Sequence, residues 1–197
     1  MKSFKQKKLF IFDFDGTLVD SCALHAKAFH AVLKPWQISF NYQDIVGMKT
    51  KDAMIKLLRG GDIELPEDLI RELIKKKQDL VRKQIKNDLQ LMPNVADFIK
   101  KAHTSHEMVV VSAGSRISID IAFEKFNLYP WFKMVITSED VTHAKPHPEG
   151  FLMALDKMQV DACQALVFED SEPGFLAAKA AGIDYINVHH FDWKYSS

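Results

Sequence analysis

The stretch Leu9-Phe10-Ile11-Phe12-Asp13-Phe14-Asp15-Gly16-Thr17-Leu18-Val19-Asp20-Ser21 decides the fold. Its first four residues are apolar and bounded by charge, which suits a short strand buried on both faces of a sheet. Two carboxylates one residue apart follow, and glycine comes directly after them. Side chains alternate along a strand, so Asp13 and Asp15 are expected to point the same way. Core packing gives no reason to deliver two acids to the end of a buried strand. An unpaired buried carboxylate costs several kcal/mol, so something cationic must share the place. The plain alternative is a strand running into an acidic turn, and the hydrophobic run before Asp-x-Asp-Gly-Thr argues against it.

The segment Phe12 to Ser21 resembles the first motif of the haloacid dehalogenase superfamily of phosphotransferases. The resemblance implies an aspartate nucleophile at Asp13, which takes up the phosphoryl group, and a general acid/base at Asp15. It also implies a bound Mg2+, and the remaining motifs are then sought further along the chain.

The 197 residues can bury one good core plus a small appendage. With 47% hydrophobic and 26% charged residues the chain is an ordinary folded protein. Its 26 basic and 26 acidic residues cancel, which removes any electrostatic case for nucleic acid. Two cysteines, Cys22 and Cys163, suit a reducing compartment better than a disulfide framework. The apolar run behind the basic start is broken at Asp13, too early for a signal peptide or a membrane span. A cytoplasmic protein with no membrane partner is expected, monomeric or weakly self-associating.

After Ser21 the pattern turns helical over Cys22–Leu33, with Ala28, Phe29, Val32 and Leu33 as a stripe and His25 one turn ahead on the same face. A lone histidine there is ordinarily a packed residue. Its position also resembles a histidine that some family members set near the acid, so His25 is a candidate for substrate contact. Lys34-Pro35 ends this helix, short helices surround Gly47-Met48-Lys49-Thr50-Lys51-Asp52, and Gly60-Gly61 is a break. Pro66 opens a long helix with Glu67 and Asp68 in its first turn. Its stripe is Leu69, Ile70, Leu73, Ile74, Leu80, Val81 and Ile85, with Lys77 inside it where the period asks for an apolar residue. Lys77 either snorkels across the surface or faces an anion. Lys75 and Lys76 are expected in solvent.

Residues 21–90 carry thirteen Lys/Arg against nine Asp/Glu, a balance of +4 that leaves −4 on the rest. A basic lid over an acidic, metal-holding core suits an anionic ester, with Lys49, Lys51 and Lys77 as candidate contacts. Such an all-helical insert resembles the helical cap of the first subclass of the family. Strand and helix patterns then alternate to the end. Strands are expected at Met108–Ser112, Met134–Thr137, Ala165–Phe168 and Tyr185–Val188. The helix opened by Pro148 is expected to pack Phe151, Leu152, Leu155 and Met158. Gly182 closes the helix Pro173–Ala181. Repeated βα units make a doubly wound parallel sheet.

Chemistry-bearing clusters fall at strand ends, where open α/β sheets bind ligands. Ser112-Ala113-Gly114-Ser115 resembles the second motif, whose hydroxyl and backbone N–H groups hold phosphate oxygens. Lys145-Pro146-His147-Pro148 resembles the third, which makes Lys145 the ammonium that neutralises phosphate and Asp13. His147 is expected to be exposed and idle. Phe168-Glu169-Asp170-Ser171 resembles the fourth. By that resemblance Asp13, the Asp15 carbonyl and Asp170 ligate Mg2+, with Glu169 close by.

The expectation is an α/β, Rossmann-like core over residues 1–20 and 91–197 with an all-helical cap over 21–90. The resemblance is to the branch holding β-phosphoglucomutase and small sugar-phosphate phosphatases, so the expected activity is Mg2+-dependent hydrolysis of a small phosphorylated metabolite. A phosphosugar mutase is the first alternative, and a non-catalytic binding or regulatory relative the second. The mutases need a second phosphate site, which in them resembles an arginine at the position here held by Thr50.

Overall fold

The structure is a computed structural model and describes residues 4–194. Among the described residues seven strands form, β1 (Leu9–Phe12), β2 (Val19–Asp20), β3 (Gln90–Leu91), β4 (Glu107–Val111), β5 (Met134–Ile136), β6 (Ala165–Glu169) and β7 (Asp184–Asn187). Seven α-helices accompany them, α1 (Cys22–Leu33), α2 (Thr50–Gly60), α3 (Glu67–Asp88), α4 (Val95–Ala102), α5 (Arg116–Phe126), α6 (Glu149–Met158) and α7 (Glu172–Ala180).

Five strands make one parallel sheet in the order β5-β4-β1-β6-β7. The first strand therefore lies in the middle, and the chain winds outward on both sides of it. Phe12 pairs with Val110 on one flank and with Phe168 on the other. This register brings the residues just beyond β1, β4 and β6 to one edge, which is how Asp13, Ser112 and Asp170 come to share a site.

Alternation along β1 splits the core in two. Phe10 and Phe12 face a layer with Phe98 of α4, Phe123 of α5 and Phe168 of β6. The Phe12 and Phe168 rings stack there at 4.6 Å. Leu9 and Ile11 face the other layer with Phe151, Ala154 and Leu155 of α6 and Ala177 and Ala178 of α7. Leu152 departs from expectation. It is exposed while Phe151, Ala154 and Leu155 are buried, so the packed face of α6 lies one residue further round the helix.

Between β2 and β3 the chain is helical, and these two strands pair antiparallel where it leaves and returns, Val19 with Leu91 and Asp20 with Gln90. The insertion has an apolar cluster of its own, including Phe29, Leu33, Met54, Leu57, Leu58 and Leu73. In α3 the buried positions are Leu73, Lys77, Val81 and Ile85, each one turn after the last. Val81 and Ile85 join the cluster of Phe14, Ile119 and Phe123, so the last turns of α3 pack on the sheet side of the molecule. Lys75 and Lys76 are exposed, as expected. Among the described residues no helix is long and apolar enough to cross a membrane, and Cys22 and Cys163 are free thiols.

Candidate active site

Lys145 arrives from the loop before α6 and is almost sealed from solvent. Its Nζ donates to Asp13 Oδ1 at 2.5 Å, to Glu169 Oε2 at 2.7 Å and to the Val111 carbonyl at 3.1 Å. Glu169 is wholly buried, and its other oxygen accepts from Ser171 Oγ at 2.7 Å and from the Ser171 and Asp170 amides. Both Glu169 oxygens are therefore engaged, and this carboxylate anchors the lysine and the turn after β6 from behind. Gly174 makes room for it, since a Cβ there would collide with the Glu169 carboxyl group.

Burial, followed by the charge of Glu169, pushes the Asp13 carboxyl up, while Lys145 pulls it back. Asp170 is pushed up to about 7 by burial and by Glu169. Burial alone would lower Lys145, but the charges of Asp13 and Glu169 outweigh it and hold the ammonium protonated. Ligand oxygens of Asp13, Glu169 and Asp170 lie within 4.8 Å of one another. Three carboxylates against one ammonium leave an excess of negative charge in a nearly dry place. An all-oxygen donor set with that excess fits Mg2+. Because Glu169 is engaged on both oxygens, Asp13 and Asp170 are the side chains open to the ion. Thr17 Oγ1 donates to Asp170 Oδ1 at 3.2 Å, and Gly16, at φ +86°, passes so close that a Cβ would strike the Asp170 carboxylate.

Asp15 sits differently. Its Oδ1 accepts from Ser21 Oγ at 2.5 Å and lies 3.5 Å from His25 Nε2. On its other side, His25 Nδ1 is 3.0 Å from Lys77 Nζ. An ammonium can only donate, so Nδ1 accepts and the ring proton resides on Nε2, facing Asp15. Lys77 is 2% exposed and lies 4.5 Å over the Phe29 ring. Burial pulls Lys77 down to about 8 and, with the Lys77 charge, pulls His25 down to about 4. At neutral pH His25 is thus neutral and Lys77 charged. The snorkelling reading of Lys77 is excluded, because the side chain turns inward to His25.

Both aspartates, His25, Lys77, Ser112 and Asp170 line one cleft. Ser112 is buried and its Oγ accepts from the Gly114 amide at 2.9 Å, so Ser112, Ala113 and Gly114 form a tight turn along the wall. Cys22 lines the wall too, but its thiol is pushed up to about 12 by burial and by Asp170 and Asp15, which leaves it a protonated bystander.

The structure does not bring Lys49 and Lys51, the expected substrate contacts, to the wall of this cleft. Lys49 Nζ donates to the Val141 and Thr142 carbonyls at 2.7 and 3.3 Å, and Lys51 is exposed and off the cleft wall. The helix α2 starts at Thr50, and successive residues turn by about 100°, so the two lysines diverge while Thr50 faces the cleft. Sequence reading missed the roles of Thr17 and Ser21 as partners of Asp170 and Asp15. Both stood within the opening motif, but nothing in a linear pattern pairs Thr17 with a residue 153 positions away.

A family model described as haloacid dehalogenase-like hydrolase matches residues 10–188. The chain belongs to this family. It is 30% identical over 184 residues to the fructose-1-phosphate phosphatase YqaB of Escherichia coli (strain K12), across 90% of this chain and 94% of that protein. It is 28% identical over 190 residues to (DL)-glycerol-3-phosphatase 2 of Arabidopsis thaliana, across 90% and 78%. Among solved structures, β-phosphoglucomutase from Clostridium difficile superposes with a TM-score of 0.82 at 20% identity, over 91% of this chain and 83% of that one, a likeness of fold.

Proposed function

We propose that this hydrolase is a Mg2+-dependent phosphatase of a small phosphate monoester, a sugar phosphate in class, working through a phosphoryl group carried on Asp13. The observation that carries the reading is the opposed setting of two carboxylates in one turn. Asp13 is clamped by a buried ammonium, whose charge favours the ionised form against the burial and the Glu169 charge that raise the carboxyl, whereas Asp15 faces a hydroxyl and a neutral imidazole, out of the cluster that holds Lys145. The phosphatase names of the relatives support the same class.

Bound between Asp13 and Asp170, Mg2+ would supply positive charge to the transferring phosphoryl oxygens. Asp13 attacks phosphorus, and the bond from phosphorus to the ester oxygen breaks. Asp15 gives its proton to the departing alkoxide, then as a carboxylate takes a proton from the water that attacks the phosphoryl group. Phosphate leaves and Asp13 is restored. Lys145 orients Asp13 and neutralises charge throughout. Ser112 and the turn to Gly114 form the wall for the phosphoryl oxygens.

The helical insertion over residues 21–90 acts as a cap on the core formed by residues 1–20 and 91–197, and it supplies His25 and Lys77 to the cleft. Hydrolysis is favoured over mutase action because Thr50, Lys49 and Lys51 offer no guanidinium for a second phosphate. Supplying β-glucose 1-phosphate with a trace of the 1,6-bisphosphate separates the two readings. Inorganic phosphate should outpace glucose 6-phosphate, and the reverse would make the protein a mutase. A panel of phosphorylated metabolites with Mg2+, scored by phosphate release, tests the reading as a whole. No release from any member, with the folded protein in hand, would favour a non-catalytic relative.

A further inference from the structure

The loop that carries Lys145 bears a second constellation that the phosphatase chemistry leaves unused. His143 and His147 flank the lysine at equal spacing, and Glu149 opens α6 just beyond. Both imidazoles face the same carboxylate oxygen. His143 Nδ1 lies 3.0 Å from Glu149 Oε2 and His147 Nδ1 3.9 Å from it. The rings are 4.6 Å apart between centroids, and the three ligand atoms all lie within 4.8 Å of one another. Asp52, from the first turn of α2 in the insertion, lines the same hollow.

We propose that His143, His147 and Glu149 form a surface site for a divalent first-row transition metal of the Zn2+ class, separate from the Asp13–Asp170 cluster. A tetrahedral ion bonded to nitrogen at about 2.0–2.1 Å and to oxygen at about 2.0–2.2 Å sets its ligand atoms roughly 3.3 Å apart. His143 and Glu149 stand near that spacing at 3.0 Å, and His147 has to approach Glu149 from 3.9 Å. Two features fix the carboxylate in advance. Glu149 Oε1 accepts from the Thr142 amide at 2.7 Å, and Oε2 accepts from the His143 amide at 2.9 Å. Those backbone bonds hold Glu149 down to about 2, so a charged ligand is present at any physiological pH. The His147 amide bonds the Ala144 carbonyl at 2.9 Å, which closes the loop and sets the two rings side by side. Binding replaces two contacts, the His143 Nδ1 bond to Glu149 Oε2 at 3.0 Å and the Glu149 amide bond to His147 Nδ1 at 3.3 Å.

The donor set separates the two places by ion. Two imidazoles and one carboxylate select Zn2+, Ni2+, Co2+ or Cu2+ over Mg2+, whereas the all-carboxylate cluster at Asp13 suits the harder ion. Three protein ligands leave a fourth position for water. The proposal does not depend on the phosphatase reading, because no atom is shared between the two places.

The test is a titration with Zn2+ against a chromophoric chelator, run on the wild-type chain, on the double variant His143→Gln/His147→Gln and on the double variant Asp13→Asn/Asp170→Asn. The histidine variant should bind Zn2+ at this site roughly tenfold or more weakly, while the aspartate variant keeps it. Circular dichroism establishes that each variant is folded. If the histidine variant fails to fold, Zn2+-induced shifts of the His143 and His147 imidazole resonances in the wild-type chain give the same answer. Equal Zn2+ affinity in the wild-type chain and the histidine variant, or imidazole resonances that do not move at saturating Zn2+, would overturn the proposal.

Discussion

Lys145 Nζ stands 2.5 Å from Asp13 Oδ1, with the ammonium and the carboxylate both nearly out of reach of water. The same nitrogen holds Glu169 at 2.7 Å. Removing the ammonium leaves two buried carboxylates with no counter-charge between them. Breaking a buried pair in this way costs about 3–5 kcal/mol. Lys145→Met should therefore lower stability by that order in chemical denaturation with chelator present, and should abolish turnover. A variant as stable as the parent would mean that the pair carries no such burden.

Asp15 occupies a different setting from Asp13 and should fail differently. Asp15→Asn keeps the size of the side chain and its bond from Ser21, but it has no proton to give or take. Metal binding at Asp13 and Asp170 should be retained, while turnover of an alkyl phosphate falls by about 10²–10⁴, the usual share of general acid–base catalysis. Hydrolysis at the parent rate would remove Asp15 from the acid role.

Lys77 is buried and is pulled down to about 8 against its ordinary value of 10.5. The folded state binds this proton less tightly than the unfolded one, so between about pH 8 and 10.5 folding becomes easier as pH rises. Lys77→Met has no proton to lose there. Its stability advantage over the parent at pH 7 should shrink across that window, as read by denaturation at a series of pH values. In the same variant KM for a phosphorylated substrate should rise more than kcat falls. A stability difference that does not vary with pH would show that the folded protein holds the Lys77 proton as tightly as the unfolded chain does.

Much of the site was legible because its cost is visible in the sequence. Carboxylates after Phe12 and Phe168 have no place in a core, so they announced the strand ends that β1 and β6 then provided. Lys77 was legible for the same reason, as a charge in an apolar stripe. The placing of Lys49 and Lys51 was not legible, because net charge says nothing about direction, and Lys49 turns to the carbonyls of Val141 and Thr142 while Lys51 turns to solvent. The ribbon of β2 and β3 has two residues per strand, too few for any periodicity. Leu152 fits the helical period and still faces solvent, since Gly150, Phe151, Ala154 and Leu155 form the buried face of α6.

Gly174 is small for the sake of the Glu169 side chain at the end of β6. A Cβ would meet the Glu169 carboxyl group and force it off Lys145. Gly174→Ala should cost about 1–3 kcal/mol, the range for overpacking, even though alanine favours the helix. Activity should drop with it. A neutral or stabilising effect would mean that Glu169 can move without loss.

The central claim is that the phosphoryl group passes through Asp13. Rapid acid quench of the enzyme turning over a ³²P-labelled ester, followed by peptide mapping, tests this most directly. The label should appear on the peptide that carries Asp13 within the first turnover, decay into inorganic phosphate, and be absent from Asp13→Asn and from enzyme held in chelator. Phosphate released at the full rate with no label on that peptide would contradict the account.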